Sequence, residues 1–310
     1  MADLFTLPVL LGVIYSGIRL ATPYLYAAIG ETFAQRSGVL NLGVDGMMLM
    51  GAFSAYYIVS NTGNLWLGLL VAASVGLLMG LLMAVVSVTL QATQGISGIG
   101  LYMLGLGLSS LLFAVSPLEI TAIDGFPPIK IPLLGDIPLI GDVLFQHNIL
   151  VYSAFLLVPV ATWVLNHTPF GLKVRAVGQN PEAADTLGVN VAAVRYLTVS
   201  LGGLLAGIAG ASLSISIINL FQENMTNGMG FIAVALVYFG GWRPVGVLLG
   251  ALLFSFVNAL QMWIQVKGVA IPSDLAVMMP YILTIVTLAF AANRVRKPAA
   301  LTKPYERGES

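Results

Sequence analysis

Apolar runs of roughly 20 residues alternate with short polar connections along almost the whole chain. About 20 apolar residues in a helix cross the roughly 30 Å hydrocarbon layer of a bilayer. Such runs lie at 7–29, 43–60, 65–90, 99–117, 149–165, 196–219, 245–265 and 275–292, with a shorter one ending at Gly240. They predict an all-α polytopic membrane protein of about nine transmembrane helices. Residues 1–293 form a single transmembrane domain, and 294–310 form a tail.

Three places depart from the pattern. The connection at 118–148 contains "GFPPIKIPLLGDIPLIGD", whose prolines and glycines forbid one continuous helix. It is expected to lie against the outer membrane surface. The seventh run, "GMGFIAVALVYFG", has 13 residues and as a helix reaches only about 20 Å. Either it extends outward through Glu223 to Asn227 or it is broken, and Gly240, Gly241 and Pro244 follow it closely. Broken helices of this kind line transport pathways, whereas a tight turn between two ordinary helices gives the same residues. The third departure is the long polar loop 166–195, with "GQNPEAADTLGVN" at its centre. There Asn180 suits an N-cap, Pro181 the first helical position, and Glu182 and Asp185 the positive end of the helix dipole, while Gly188 stops the helix about two turns on. Ala183, Ala184 and Leu187 fall roughly on one face. A helix this short is marginal alone, so it either docks into a groove on a soluble partner or is a transient turn in a solvated loop.

Charge fixes the expected orientation, because cytoplasmic loops are rich in Lys and Arg. Alternating through nine spans puts Arg36, Lys173, Arg175, Arg195, Arg243, Arg294, Arg296, Lys297, Lys303 and Arg307 on one side, and only Lys130 and Lys267 on the other. The C-terminus and the loop 166–195 are therefore expected in the cytoplasm and the N-terminus outside. The opening run lacks a basic leader and is read as a retained helix. Composition agrees with a bilayer protein: 58% of residues are hydrophobic and 8% charged, where soluble domains carry about 25% charged. The 34 glycines include Gly76/Gly80, Gly203/Gly207 and Gly246/Gly250, at a spacing that suits close helix packing in lipid.

Candidate chemistry is sparse. With no cysteine and two separated histidines, His147 and His167, the chain offers no thiol catalysis, disulfide or Cys/His metal site. Zero net charge gives no reason to expect nucleic acid as a partner. An ATP-hydrolysing subunit would carry G-x-x-x-x-G-K-[ST]; the nearest imitation, "GLLAGIAGAS", lacks the lysine and lies inside a predicted helix. Glu31 and Asp45 are read as bracketing a cytoplasmic connection, so no carboxylate is placed in mid-membrane and ion coupling has little support. Arg19 is the one charge predicted deep in a helix; it either lines a path or fixes the helix by pairing with a carbonyl or carboxylate.

Four stretches together resemble a known family: "GETFAQRSGVLNLGVDGMMLMGAF", "GLKVRAVGQNPEAADTLGVNV", "GGLLAGIAGA" and "GMGFIAVALVYFGGWRPVGVLLGALLF". They resemble permease subunits of bacterial ABC importers of the branched-chain amino acid, ribose and simple-sugar group. The nearest likeness is to the shorter of the two permeases in nucleoside (guanosine and uridine type) importers. The resemblance implies a multi-pass protein of the bacterial inner membrane with no catalytic or metal site of its own. It implies a second, paralogous permease, an ABC ATPase subunit that holds the ATP and Mg, and an extracytoplasmic substrate-binding protein. It places ATPase coupling on Asn180, Pro181, Glu182, Ala183, Ala184, Asp185, Leu187 and Gly188. A nucleoside needs stacking and hydrogen-bonding groups, for which Arg19, Tyr24, Asn41, Asp45, Asn219, Glu223 and Phe231 are the candidates along the path. A ribose-like sugar is the alternative substrate, and an ion-coupled secondary carrier the alternative class. Ribose permeases are usually read with ten spans and an inside N-terminus; the odd count and outside N-terminus expected here are consistent with loss of the first of them.

Overall fold

The computed structural model describes residues 6–116, 121–132, 135–137, 141–266, 272–291 and 297–306. Of the charges used for orientation, Lys267, Arg294, Arg296 and Arg307 lie outside the described residues. The helices in chain order are α1 Leu7–Arg36, α2 Val44–Thr62, α3 Leu65–Ala84, α4 Gln94–Val115, the single turn α5 Gly141–Leu144, α6 Ile149–His167, α7 Pro169–Gln179, α8 Pro181–Thr186, α9 Val191–Ser212, α10 Met229–Phe239, α11 Pro244–Val266 and α12 Ser273–Ala291. Two strands, β1 Pro128–Lys130 and β2 Gln146–Asn148, pair antiparallel. Among the described residues six helices, α1, α3, α4, α6, α9 and α11, are long and apolar enough to cross a membrane, and α10 is a shorter apolar helix of 11 residues. The outward faces stay greasy, with Trp66, Ile96, Met103 and Trp163 exposed. A chain with this many apolar helices is a multi-pass membrane protein.

Asparagine opens many of the helices. Asn64, Asn148, Asn180 and Asn190 each turn Oδ1 onto a first-turn backbone N–H, and Thr168 does the same for α7 with its hydroxyl. Each cap satisfies a donor that would otherwise be orphaned. Gly63, at φ +67°, ends α2 in the left-handed region that glycine enters without steric cost.

The bundle is organised around α9, which packs chiefly against α3, α1 and α2. Glycine makes this possible. A Cβ on Gly76 would lie 2.3 Å from the Gly203 carbonyl oxygen, and one on Gly207 2.2 Å from that of Ala72. The Gly76/Gly80 and Gly203/Gly207 pairs read from the sequence thus face each other, backbone to backbone. Gly246 presses on the Gly240 turn, with 2.2 Å between its would-be Cβ and the Gly240 carbonyl oxygen.

The described residues of the 118–148 connection are pinned to the end of α9. The backbone N–H groups at Ile123 and Phe126 donate to the carbonyls of Asn219 and Ile215, and Tyr56 donates its hydroxyl to the Thr121 carbonyl at 2.8 Å. These anchors are backbone groups, which carry no sequence signature. His147 sits in the hairpin, buried, with its ring stacked on Tyr15 at 4.7 Å and Nε2 2.9 Å from the Val143 carbonyl. Burial holds this imidazole below its ordinary value of 6.5; the Val143 carbonyl opposes that and the nearby Arg19 charge adds to it. A lowered folded value means that the unfolded chain takes up the proton first. The hairpin's stabilisation is therefore complete above about pH 6.5 and is lost as pH falls below that, toward the lowered value. Thermal unfolding in detergent should show a drop in Tm between pH 7 and 5.5 that His147→Gln reduces; an identical slope in the variant would remove His147 as its source.

Candidate functional site

The short helix α10 is held at both ends. Its 11 residues rise about 16 Å, roughly half of a hydrocarbon layer. It begins at Met229, after a run of turns with left-handed Asn224 and Asn227, and does not extend back through Glu223. The broken reading of this segment therefore holds, and the tight turn exists too: Gly241 and Trp242, at φ +63° and +55°, reverse the chain into α11.

At its N-terminal end α10 has no side-chain cap of its own. Asp45, from the first turn of α2, supplies one. Its Oδ1 accepts from the Gly230 N–H at 2.7 Å and its Oδ2 from the Thr226 hydroxyl at 3.0 Å, and the residue is fully buried. The carboxylate thus faces the positive ends of two helices at once. Gly230 permits the approach, since a Cβ there would lie 2.3 Å from the Asp45 nitrogen.

At the other end of α10, Trp242 donates its indole N–H to Gln35 Oε1 at 2.7 Å, and its carbonyl accepts from Arg36 Nε at 2.8 Å. Gln35 in turn donates to Glu31 Oε1, which also accepts the Asn41 N–H at 3.0 Å; Glu31 Oε2 has no hydrogen bond among the described residues. Residues 37–43 turn back from the Arg36 end into the bundle, which brings Asn41 level with Glu31. Asp45 consequently lies about 16 Å from that end. Glu31 and Asp45 flank the connection 37–43, as the sequence suggests, but both are enclosed by protein. The turn between them reads in sequence like an ordinary polar loop.

Beneath this knot lies the loop that carries α7 and α8. The cap at Asn180, the proline start and the glycine stop are where the sequence put them: Asn180 Oδ1 accepts from Ala183 N–H at 3.0 Å, α8 ends at Thr186, and Gly188 has φ +83°. The expected common face is divided. Ala184 is buried against the chain, whereas Glu182 and Ala183 are exposed and Leu187 is 85% exposed. The preceding helix α7 was hidden in sequence by its mixed composition. Its last turn places Gly178 directly on the end of α1, with 1.9 Å between a would-be Cβ and the Arg36 carbonyl oxygen. Arg36, Arg175 and Arg243 stand close enough to interact electrostatically, so the basic residues gather at this end of the bundle.

The seven path candidates do not form one site. Tyr24, Asn41, Asp45 and Phe231 surround the α2–α10 junction. Tyr24 packs edge-on against Phe254 at 5.1 Å, Phe231 against Tyr102 at 5.1 Å, and Asn41 Oδ1 accepts from Gly43 N–H at 2.8 Å. Arg19 and Asn219 lie toward the hairpin end, and Glu223 is exposed. Arg19 reaches the carbonyls of Ser216 and Ile217 at 3.4 and 3.5 Å and lies over Tyr15, which is the carbonyl-paired alternative for this charge. It also borders a cavity of about 270 Å³ with Ser16, Leu20, Ile217, Met262, Trp263 and Val266. Thr226, Gln35 and Trp242 were missed by the sequence reading; the signal was the single tryptophan in "GGWRP", at a turn where an indole must find an acceptor.

Residues 13–288 match the family described as the branched-chain amino acid transport system permease component. The chain belongs to that family. Among its relatives, TsgC13 of Haloferax volcanii, an ABC permease assigned provisionally to glucose, is 38% identical over 96% of this chain and 98% of its own. The guanosine ABC transporter permease NupQ of Bacillus subtilis is 36% identical over 93% of this chain and 94% of its own. The nucleoside ABC transporter permease NupC of Lactococcus lactis is 36% identical over 90% and 92%. No solved structure matches. This permease is therefore a membrane component of an ABC transporter, and the knot around α10 lies within its matched region.

Proposed function

We propose that the permease forms half of the translocation path of an ATP-driven nucleoside importer in the bacterial inner membrane. Its chain would cross nine times, with the N-terminus outside and the tail 294–310 in the cytoplasm. A paralogous permease would complete the path, an extracytoplasmic binding protein would deliver the nucleoside, and a separate ATPase subunit would hold ATP and Mg. The observation that carries this reading is α8: a capped helix displaying Glu182 and Leu187 outward, joined through Gly178 to the end of α1. Movement of α8 would reach the Arg36 turn directly, and that turn grips α10 through Trp242 while Asp45 grips its other end. Alternating access would follow from shifting this clamped half-helix, with Tyr24, Asn41, Asp45 and Phe231 on the inner part of the path and Arg19, Asn219 and Glu223 nearer its mouth.

Nucleosides are favoured because NupQ and NupC are named for them; a simple sugar is the second reading, supported by the provisional name of TsgC13. Titrating the binding protein made alongside this permease against nucleosides and sugars separates the two. Coupling is tested by Glu182→Lys combined with Leu187→Asp. Both positions are exposed, so folding should be unchanged, while uptake and substrate-stimulated ATP hydrolysis should fall at least about tenfold, equivalent to 1.4 kcal/mol. Undiminished uptake would remove α8 from the coupling path.

A further inference from the structure

Residues 297–306 are bound to the bundle instead of trailing from it. Ala300, which is buried, donates its N–H to the Gly178 carbonyl at 3.0 Å, and Thr302 donates to the Gly38 carbonyl at 3.0 Å. Gln91 Nε2 reaches the Tyr305 carbonyl at 3.3 Å. Arg195 of α9, 1% exposed, spends its guanidinium on main chain: Nε on Ser37 at 3.2 Å and Nη1 on Lys303 at 3.1 Å. Ordering a chain segment costs backbone entropy, and a buried guanidinium needs its hydrogen bonds. A strap fastened by an arginine inside the bundle is thus a built feature. It ties together the end of α1, the end of α7 and α9.

Between this strap and α8 opens a cavity of about 300 Å³, bordered by Gln91, Asn180, Glu182, Lys303, Tyr305 and Glu306. We propose that the strap and α8 are the two walls of one docking cleft, and that the ATPase subunit occupies it. The proposal rests on α8 being the coupling helix. Continuity with α8 and the gathering of basic residues at this end favour a cytoplasmic protein partner, and charges of both signs on the walls suit a polar protein surface better than acyl chains. The permease then grips the ATPase with both its internal loop and its C-terminal segment.

The chain has no cysteine, so single-site variants can be labelled cleanly. Lys303→Cys and Glu182→Cys, each carrying a benzophenone maleimide, should both photocrosslink to the ATPase subunit in the assembled complex. Asn61→Cys, exposed on the opposite end at the close of α2, should not. Crosslinks from Glu182 alone would overturn the shared cleft and leave the coupling reading standing. Crosslinks from Lys303 alone would also overturn it, and crosslinks from neither would remove the coupling reading as well. Deleting residues 298–310 should lower ATPase retention on the purified permease about tenfold; full retention would contradict a role for the strap in docking.

Discussion

Replacing Gly203 with leucine should abolish recovery of folded permease. A Cβ at this position would lie 2.4 Å from the Gly76 carbonyl oxygen and 2.6 Å from Gly80 Cα, and both obstacles are backbone. Overpacking against mobile side chains costs about 1–3 kcal/mol; here a helix must move, so the cost lies at or beyond the upper end. The α3–α9 seam would open, and α9 is the helix around which α1, α2 and α3 are arranged. Gly107→Ala is the matching control, because nothing lies within 4 Å of its would-be Cβ. Size-exclusion chromatography in detergent would show a single peak for Gly107→Ala and aggregate or no protein for Gly203→Leu. A well-folded Gly203→Leu would show that the two helices do not pack as closely as described.

Asp45→Leu should abolish transport and lower stability together. It removes both acceptors from a buried site and leaves the Gly230 N–H and the Thr226 hydroxyl without partners, at about 1–3 kcal/mol for each orphaned donor. The N-terminal end of α10 then loses its anchor to α2. Asp45→Asn separates this role from one that needs negative charge: its carbonyl oxygen still accepts from Gly230, and the Thr226 hydroxyl can reverse to accept from the amide. Substantial uptake by Asp45→Asn beside none by Asp45→Leu supports the anchor, whereas equal loss in both would assign Asp45 a charge-dependent task. Uptake by membrane vesicles, normalised to permease content, reads the difference.

The parts of this arrangement that are local in sequence were legible there. The cap, proline and glycine of α8 all fall within the nine residues from Asn180 to Gly188, and hydropathy marks the membrane runs without further information. Glycine pairs one helical turn apart pointed to close seams, although only the structure matches Gly76/Gly80 to Gly203/Gly207. What escaped were long-range contacts. Asp45 meets α10 across more than 180 residues, and Arg195 meets the C-terminal strap across 108. A carboxylate at the start of a helix reads as a first-turn acid whether it caps its own helix or another. Ala184 was assigned to a partner face because apolar exposure on a short helix cannot be divided between the chain's own bundle and a docking protein without knowing where α7 lies.

The most direct test is uptake of radiolabelled guanosine by proteoliposomes that contain this permease, its paralogous partner and the ATPase, with the binding protein supplied at the outward face. The account predicts accumulation that requires ATP and is lost with Glu182→Lys combined with Leu187→Asp. Accumulation driven by an ion gradient through this permease alone, without ATP, would contradict it.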